Sequence, residues 1–352
     1  GGKIMGNYDT ITLLKGIENV KPVKTFLRDT FFPAKNDQKL VTKTAQFDVK
    51  KGKRRIAPFV APRVNGVTIS REGFETHTIT TPLIAPQRII TVDDLENRAF
   101  GESIVSAVTP QQRQAKIVAD DLMELDEMIT RREEAMIADL LFNGKIFVKA
   151  YIDHDGTNTK DSVIDFGKKT DDKAKVLWNT ETANIIEDLR NLRREIIKES
   201  GANANILILG SKVYDELLKN EKFLKYFDIK NLNLASINPT LQDGGAVTYV
   251  GRITSLGIDM YTYDEWYVDA DGVEKPVVPE DKILLGSRDL GKIMYGAVTQ
   301  LADQGQSFVT YVSSRVPKVW VDPNADNRMM RLSSRPVAAP NDIEAWKVLK
   351  VL

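Results

Sequence analysis

Residues 109–144 constrain the fold more than any other part of this 352-residue chain. Thr109 is a good N-cap, Pro110 suits the first helical position, and Gln112 stands where a capping box wants Glu or Gln. Apolar Val118, Leu122, Leu125, Ile129, Met136 and Leu140 follow in steps of four, three, four, seven and four, which is one helical face. Asn143-Gly144 is a stop signal. The pattern predicts a helix over 110–143, about 51 Å long, where the average helix has ~11–12 residues. Such a rod does not fit inside a compact core, but it suits the spine of an elongated domain. Leu122 and Leu125 are expected to face a sheet. Asp120, Asp121, Glu124, Arg131, Arg132, Glu133 and Glu134 are assigned to the other face. A coiled coil is disfavoured, because Arg132 falls on the seam it would use and only a few heptads are available.

The second constraint is the stretch from Phe59 to Leu95, FVAPRVNGVTISREGFETHTITTPLIAPQRIITVDDL. Thr, Ile and Val recur at nearly every second position, as in strands. Its middle, Arg63 to Thr81, is too polar and Gly-rich to bury a core of its own. Two extended arms without a core imply that the core belongs to something else. Residues 1–45 read as an N-terminal arm with a weak helix from Asp9 or Thr10 and another over Val23 to Asp29, ending before Pro33. Phe26, Phe31 and Phe32 need burial against the body or a neighbouring chain. The basic run Lys50, Lys51, Lys53, Arg54 and Arg55 reads first as a solvated turn, and second as a contact with acidic protein or packaged nucleic acid.

Beyond the spine, Thr182 to Ser200 repeats a helical face, Ile206–Leu209 reads as a short buried strand, and Ser211 opens another helix through Leu218. Strands are expected at 247–252, 258–263, 266–268 and 282–286, and again in the tail around Phe308, Lys318 and Ala345. This order points to an α+β fold with helices on a sheet. Two hairpins are expected at Tyr151–Gly156 and Tyr267–Gly272, each with Asp-Gly at its turn. Both contain Asp-x-Asp-Gly, but without the spacing to a final Glu that a calcium loop requires, so they read as turns.

Composition narrows the function. Forty-nine basic and 49 acidic residues cancel, which argues against a dedicated nucleic-acid binder and removes the self-repulsion that keeps copies apart. The absence of Cys excludes disulfides, zinc-thiolate sites and a Cys nucleophile. No apolar run approaches the ~18 residues of a membrane span, and the N-terminus lacks a signal-peptide core, so a soluble, cytoplasmically made protein is expected. The two histidines, His77 and His154, stand apart in sequence from any nucleophile motif, and there is no phosphate loop. Nothing in the residues calls for catalysis, a metal or a cofactor.

Four sets of residues carry a resemblance. Phe26-Leu-Arg-Asp-Thr-Phe-Phe-Pro33 is similar to the FLxxxFF signature of lambda-like phage major capsid proteins, the major capsid protein E family. Val60–Gly66 resembles that family's entry into its extended loop. Asp281–Ser287 followed by Met294–Val298 resembles its late strand pair. Ser313–Val321 and Ser334–Asp342 resemble its C-terminal segment. The resemblance implies the Hong Kong 97-type capsid fold: an arm (1–45), an extended two-stranded loop (46–95), a peripheral domain (96–180) on the spine, an axial domain (181–300), and C-terminal strands (301–352) returning to the sheets. It further implies a shell that assembles in the host cytoplasm from pentameric and hexameric capsomers around double-stranded DNA. Portal, scaffold or protease and decoration proteins are the implied partners, and locking is non-covalent. Phe26, Phe31, Phe32, Arg63, Asn65, Gly66, Arg71, Gly73 and Arg88 are the residues expected between subunits. Two alternatives stay open at this stage: an encapsulin-like cargo compartment, and a cytoplasmic two-domain enzyme of unknown chemistry.

Overall fold

The computed structural model describes residues 13, 25–49, 75–96, 109–153, 158–170, 172–227, 236–241, 246–269, 271–302, 307–323 and 327–352. The spine helix runs over Pro110–Asn143, as its caps predict. Gln112 N–H donates to Thr109 Oγ1 (3.3 Å) and Thr109 N–H donates to Gln112 Oε1 (3.0 Å), closing the capping box. At the other end Gly144 turns left-handed (φ 67°) and its N–H returns to the Leu140 carbonyl. A Cβ there would also strike the Lys168 carbonyl at 2.6 Å, so glycine is required twice over. Among the described residues the other helical segments include Leu27–Phe31, a short 3-10 turn at Ala34–Asn36, Val92–Glu96, Ile185–Glu199, Ser211–Lys219 and Glu221–Phe227. Of the helix expected from Asp9 or Thr10 only Leu13 is among the described residues; it is helical and buried with Ile90 and the first half of the spine.

The strands begin with β1 (Gln38–Lys39), β2 (Thr44–Val49), β3 (Glu75–Thr80), β4 (Gln87–Ile90), β5 (Lys145–Tyr151), β6 (Thr159–Asp165) and β7 (Ile206–Leu209). They continue with β8 (Ser236–Leu241), β9 (Val247–Ile253), β10 (Ile258–Tyr263), β11 (Trp266–Val268), β12 (Glu274–Pro276), β13 (Lys282–Gly286) and β14 (Gly291–Tyr295). The last are β15 (Val298–Leu301), β16 (Phe308–Tyr311), β17 (Val316–Asp322), β18 (Asn327–Ser333), β19 (Pro336–Pro340) and β20 (Trp346–Lys350).

The largest sheet has the order β20-β13-β7-β10-β9-β8. Its centre is apolar on both faces, and the two-residue side-chain period sends alternate residues to two different cores. Ile206, Ile208, Leu284, Trp346 and Val348 join the first core, which also holds Leu27, Phe31, Phe32 and the C-terminal third of the spine. Leu207, Leu209, Ile283, Leu285 and Leu349 join the second, covered by Ile185–Glu199 and the helices after β7. A third core lies under the sheet β17-β18-β4, where Ile90, Met330 and Leu332 meet Val118, Leu122, Leu125 and Ile129. Leu122 and Leu125 therefore face a sheet, as expected.

Both expected hairpins form, as β5–β6 and β11–β12. The turn of the first, with His154, lies outside the described residues. In the second, Asp269 Oδ1 accepts from the N–H groups of Asp271 and Val273, the local turn its sequence implied.

Candidate assembly surface

The spine seam passes through Glu133, not Arg132. Glu133 lies four residues after Ile129 and three before Met136, so it points inward, while Arg132 is exposed. Glu133 and Glu134, both assigned to the solvent face from sequence, are buried (0% and 3% exposed). A buried carboxylate needs partners, and both have them. Glu133 is clamped between two arginines from opposite ends of the chain. Arg28 Nη1 donates to its Oε2 and Arg315 Nη1 to its Oε1, each at 2.7 Å. Arg28 also reaches Asp37 (3.0 Å) and the Tyr295 hydroxyl (3.1 Å). Arg315 also donates to Asp126 (2.6 Å) and Thr130 (3.3 Å). Burial works against the Arg315 charge, but Glu133, Tyr295 and Asp126 outweigh it, and its pKa is raised.

Glu134 does a different task. The helix Leu27–Phe31 has no side-chain cap of its own. Its first N–H groups, on Phe26, Leu27 and Arg28, donate instead to the Glu134 carboxylate at 3.0, 2.7 and 3.0 Å. Burial pushes Glu134 up to about 7, and these three donors and the Tyr263 hydroxyl restrain the rise. The segment expected to be an arm is thus fixed to the body from Phe26 onward. Phe31 and Phe32, expected between subunits, are 0% exposed within this chain. A side chain with no free surface has nothing to offer a neighbour, so their contact is intramolecular. Phe26 is half-buried and stacks on Tyr261 and Tyr263, with ring centroids 5.3 and 5.5 Å away.

The extended loop begins as a two-stranded ribbon. β2 and β3 pair antiparallel from Thr44↔Thr80 to Val49↔Glu75. Its root touches the body. Ala45 is buried and Ile79 packs on the first core, while Gln46, Thr78 and Thr80 are exposed. Thr81 donates to the Lys43 carbonyl through both N–H (3.0 Å) and Oγ1 (2.9 Å), and Arg335 Nη1 donates to the Thr81 carbonyl (3.1 Å). Gly296 leaves room for this joint, since a Cβ there would lie 2.2 Å from Thr81 Oγ1. Arg63, Asn65, Gly66, Arg71 and Gly73 lie outside the described residues. Chain after Thr80 leaves the ribbon: β4 pairs with β18, and Arg88 is bound to its own spine by Glu124, with Asp121 3.9 Å away.

The quoted motifs therefore converge. Phe26–Pro33 supplies the capped helix and Arg28, Met294–Val298 supplies Tyr295 and Gly296, and Ser313–Val321 supplies Arg315. The helix and the two arginines meet the spine at Glu133 and Glu134, Tyr295 joins them through Arg28, and Gly296 holds the ribbon's root at Thr81. Sequence reasoning missed these two acids, although the position of Glu133 on the 129–136 seam was a usable signal. Nothing local marks Glu134, whose donors lie more than a hundred residues away.

Among the described residues no cluster of His, Asp and Glu is arranged to hold a metal, and no helix is long and apolar enough to cross a membrane. A long spine helix, a sheet shared by two cores and a two-stranded ribbon rooted on the body are parts of a Hong Kong 97-type capsid subunit. The chain belongs to the family of phage major capsid protein E, whose model matches residues 9–351. It is a structural protein of the virion capsid, and the family is not one of enzymes. It is 23% identical to a prophage-derived major head protein of Escherichia coli O6:H1, across 99% of this chain and 100% of the relative. The major capsid protein of Enterobacteria phage P21 matches to the same extent. Among solved structures, a prophage capsid protein of E. coli CFT073 superposes with a TM-score of 0.68 at 19% identity, covering 98% of this chain and 99% of that one. A phage-related protein of Bordetella bronchiseptica does so with a TM-score of 0.50 at 12% identity, covering 97% of each.

Proposed function

We propose that copies of this chain assemble, as pentameric and hexameric capsomers, into an icosahedral head shell around double-stranded DNA. In this reading the ribbon continues through residues 50–74 over the adjacent copy, with Arg63, Asn65, Gly66, Arg71 and Gly73 at the contact. The spine with the sheet β17-β18-β4 is the peripheral domain, and the six-stranded sheet with its helices is the axial domain. The single observation that supports the reading is the ribbon's root: it is fixed to the body by Thr81, Arg335 and the space at Gly296, and Gln46, Thr78 and Thr80 beside it are exposed. A ribbon so firmly placed at its root, with exposed side chains directly beside it, is suited to contact with another chain. A portal, a scaffold or protease, and a decoration protein belong to the same reading, with DNA held non-specifically on the inner face.

The test deletes Gly66 to Gly73 behind a short Gly-Ser bridge. Shortening a loop costs little, because closure entropy changes slowly with length. Circular dichroism is expected to show a folded subunit, and sedimentation to show that stable shells no longer form. Normal shells from this variant would refute the ribbon's role. Nuclease-protected DNA inside particles of the parent chain checks the cargo.

A further inference from the structure

Two hairpins carry apolar residues on the wrong side. The inner side of β5–β6 is accounted for: Ile146 is buried, and Val148 and Ile164 pack on the first core. Its outer side should be polar, as for any sheet with one face in water. Instead Phe147 and Val163 stand there as a directly opposed pair, each more than half exposed. β11–β12 repeats the arrangement. Tyr267 packs inward, while Trp266 and Val268, two positions apart on one face, are exposed.

These hairpins come from distant parts of the chain, one leaving the end of the spine and one following β10, yet Lys149 Nζ and Asp271 join them through an ion pair. Lys149 lies on the same strand face as Phe147, so the clip joins the outer face of β5–β6 to the turn of β11–β12. Other charges around it are also matched locally, Lys145 with Asp165 and Lys275 with Asp269. Large apolar side chains left exposed on neighbouring hairpins of a folded protein, with the charges beside them already paired, mark a place of contact.

We infer that the outer faces of β5–β6 and β11–β12 form one composite surface that is covered by a second copy of this chain in the assembled shell. The inference rests on the shell-building reading and names a contact separate from the ribbon. Charge selects the occupant. The described residues of the two hairpins, 145–153, 158–165, 266–269 and 271–276, hold four lysines against six acids. That balance repels nucleic acid, whose binding requires cations facing phosphate. A copy of this chain, with 49 charges of each sign, carries no net charge to be repelled. The chain is also one that must bury surface against itself, since its family builds capsids.

The absence of Cys allows a direct test. Single Phe147→Cys and Val268→Cys variants are assembled, and their reaction with a maleimide is timed in particles and in dissociated subunits. At both positions labelling is expected to slow by roughly tenfold or more on assembly, because thiol chemistry requires access. Equal rates in particles and subunits would overturn the contact while leaving the shell reading intact. Protection that appears only in DNA-filled particles would overturn it in favour of nucleic acid. If the parent chain makes no particles at all, the shell reading falls and this contact with it. A triple variant, Phe147→Ser with Val163→Ser and Trp266→Ser, supplies a second readout. It is expected to keep the parent's circular dichroism but to require at least about tenfold more protein to assemble, roughly 1.4 kcal/mol. Assembly at the parent's concentration would count against the inference.

Discussion

At the scale of single residues, the spine's two buried acids divide the work. Glu133 neutralises Arg28 and Arg315 and so ties the first and last thirds of the chain to one turn of helix. Glu134 completes a helix that cannot cap itself. Its titration has a definite sign. The folded protein holds a proton on Glu134 up to about 7, while the unfolded chain loses it near 4.5. Between those values the folded state binds more protons, so stability from this group is full below the lower pH and is lost as pH rises through about 7. The rise corresponds to ~3 kcal/mol at about 1.4 kcal/mol per unit. Thermal melts of dissociated subunits are therefore expected to show a higher Tm at pH 5 than at pH 8, and Glu134→Gln is expected to reduce that difference. An unchanged pH profile in the variant would assign the dependence to other groups.

At the scale of elements, the spine is two helices in one. Its first half buries a stripe under β4 and β18, and its last third, from Glu133 to Phe142, is buried on almost every side. Leu122→Asp places an unpaired carboxylate in the third core, which costs several kcal/mol. The variant is expected to be insoluble or unfolded, and a soluble protein with the parent's Tm would show that Leu122 does not matter to folding. The ribbon's root has its own sensitive point. Gly296→Ala puts a Cβ where Thr81 Oγ1 now sits, so one element must move. Denaturant titration is expected to show a loss of ~1–3 kcal/mol, typical of overpacking. Combined with Thr81→Ala, the loss should be smaller than the sum of the two single losses, because the residues share one space. Strict additivity would mean that the joint is not tight.

At the scale of the whole molecule, one sheet couples two of the three cores. β7 is buried along its whole length, with Ile206 and Ile208 facing one core and Leu207 and Leu209 the other. Neither core opens without disturbing this strand. Hydrogen exchange is expected to protect β7 and β13 to the level of global unfolding, while β15–β16, a separate two-stranded hairpin with exposed Leu301 and Phe308, exchanges by local opening. Exchange of β7 at the rate of that hairpin would disprove a shared core.

What the sequence determined by itself is local and periodic. The spine's limits followed from Thr109, Gln112 and Gly144, because caps and stops act within a few residues. The buried strand Ile206–Leu209 and the strands at 258–263, 266–268 and 282–286 followed from short apolar or alternating runs. The three cores, the joint of Gly296 with Thr81 and the docking of Phe31 and Phe32 inside this chain were decided only by the tertiary structure. The same holds for Glu133 and Glu134. Two adjacent acids on a helix that is exposed elsewhere read as solvated charge, because solvation is the default where no partner is near in sequence. Their partners are near only in space, one arginine 105 residues before Glu133 and the other 182 after it. An ion pair is a matter of distance between side chains, and no periodicity along a chain encodes that distance.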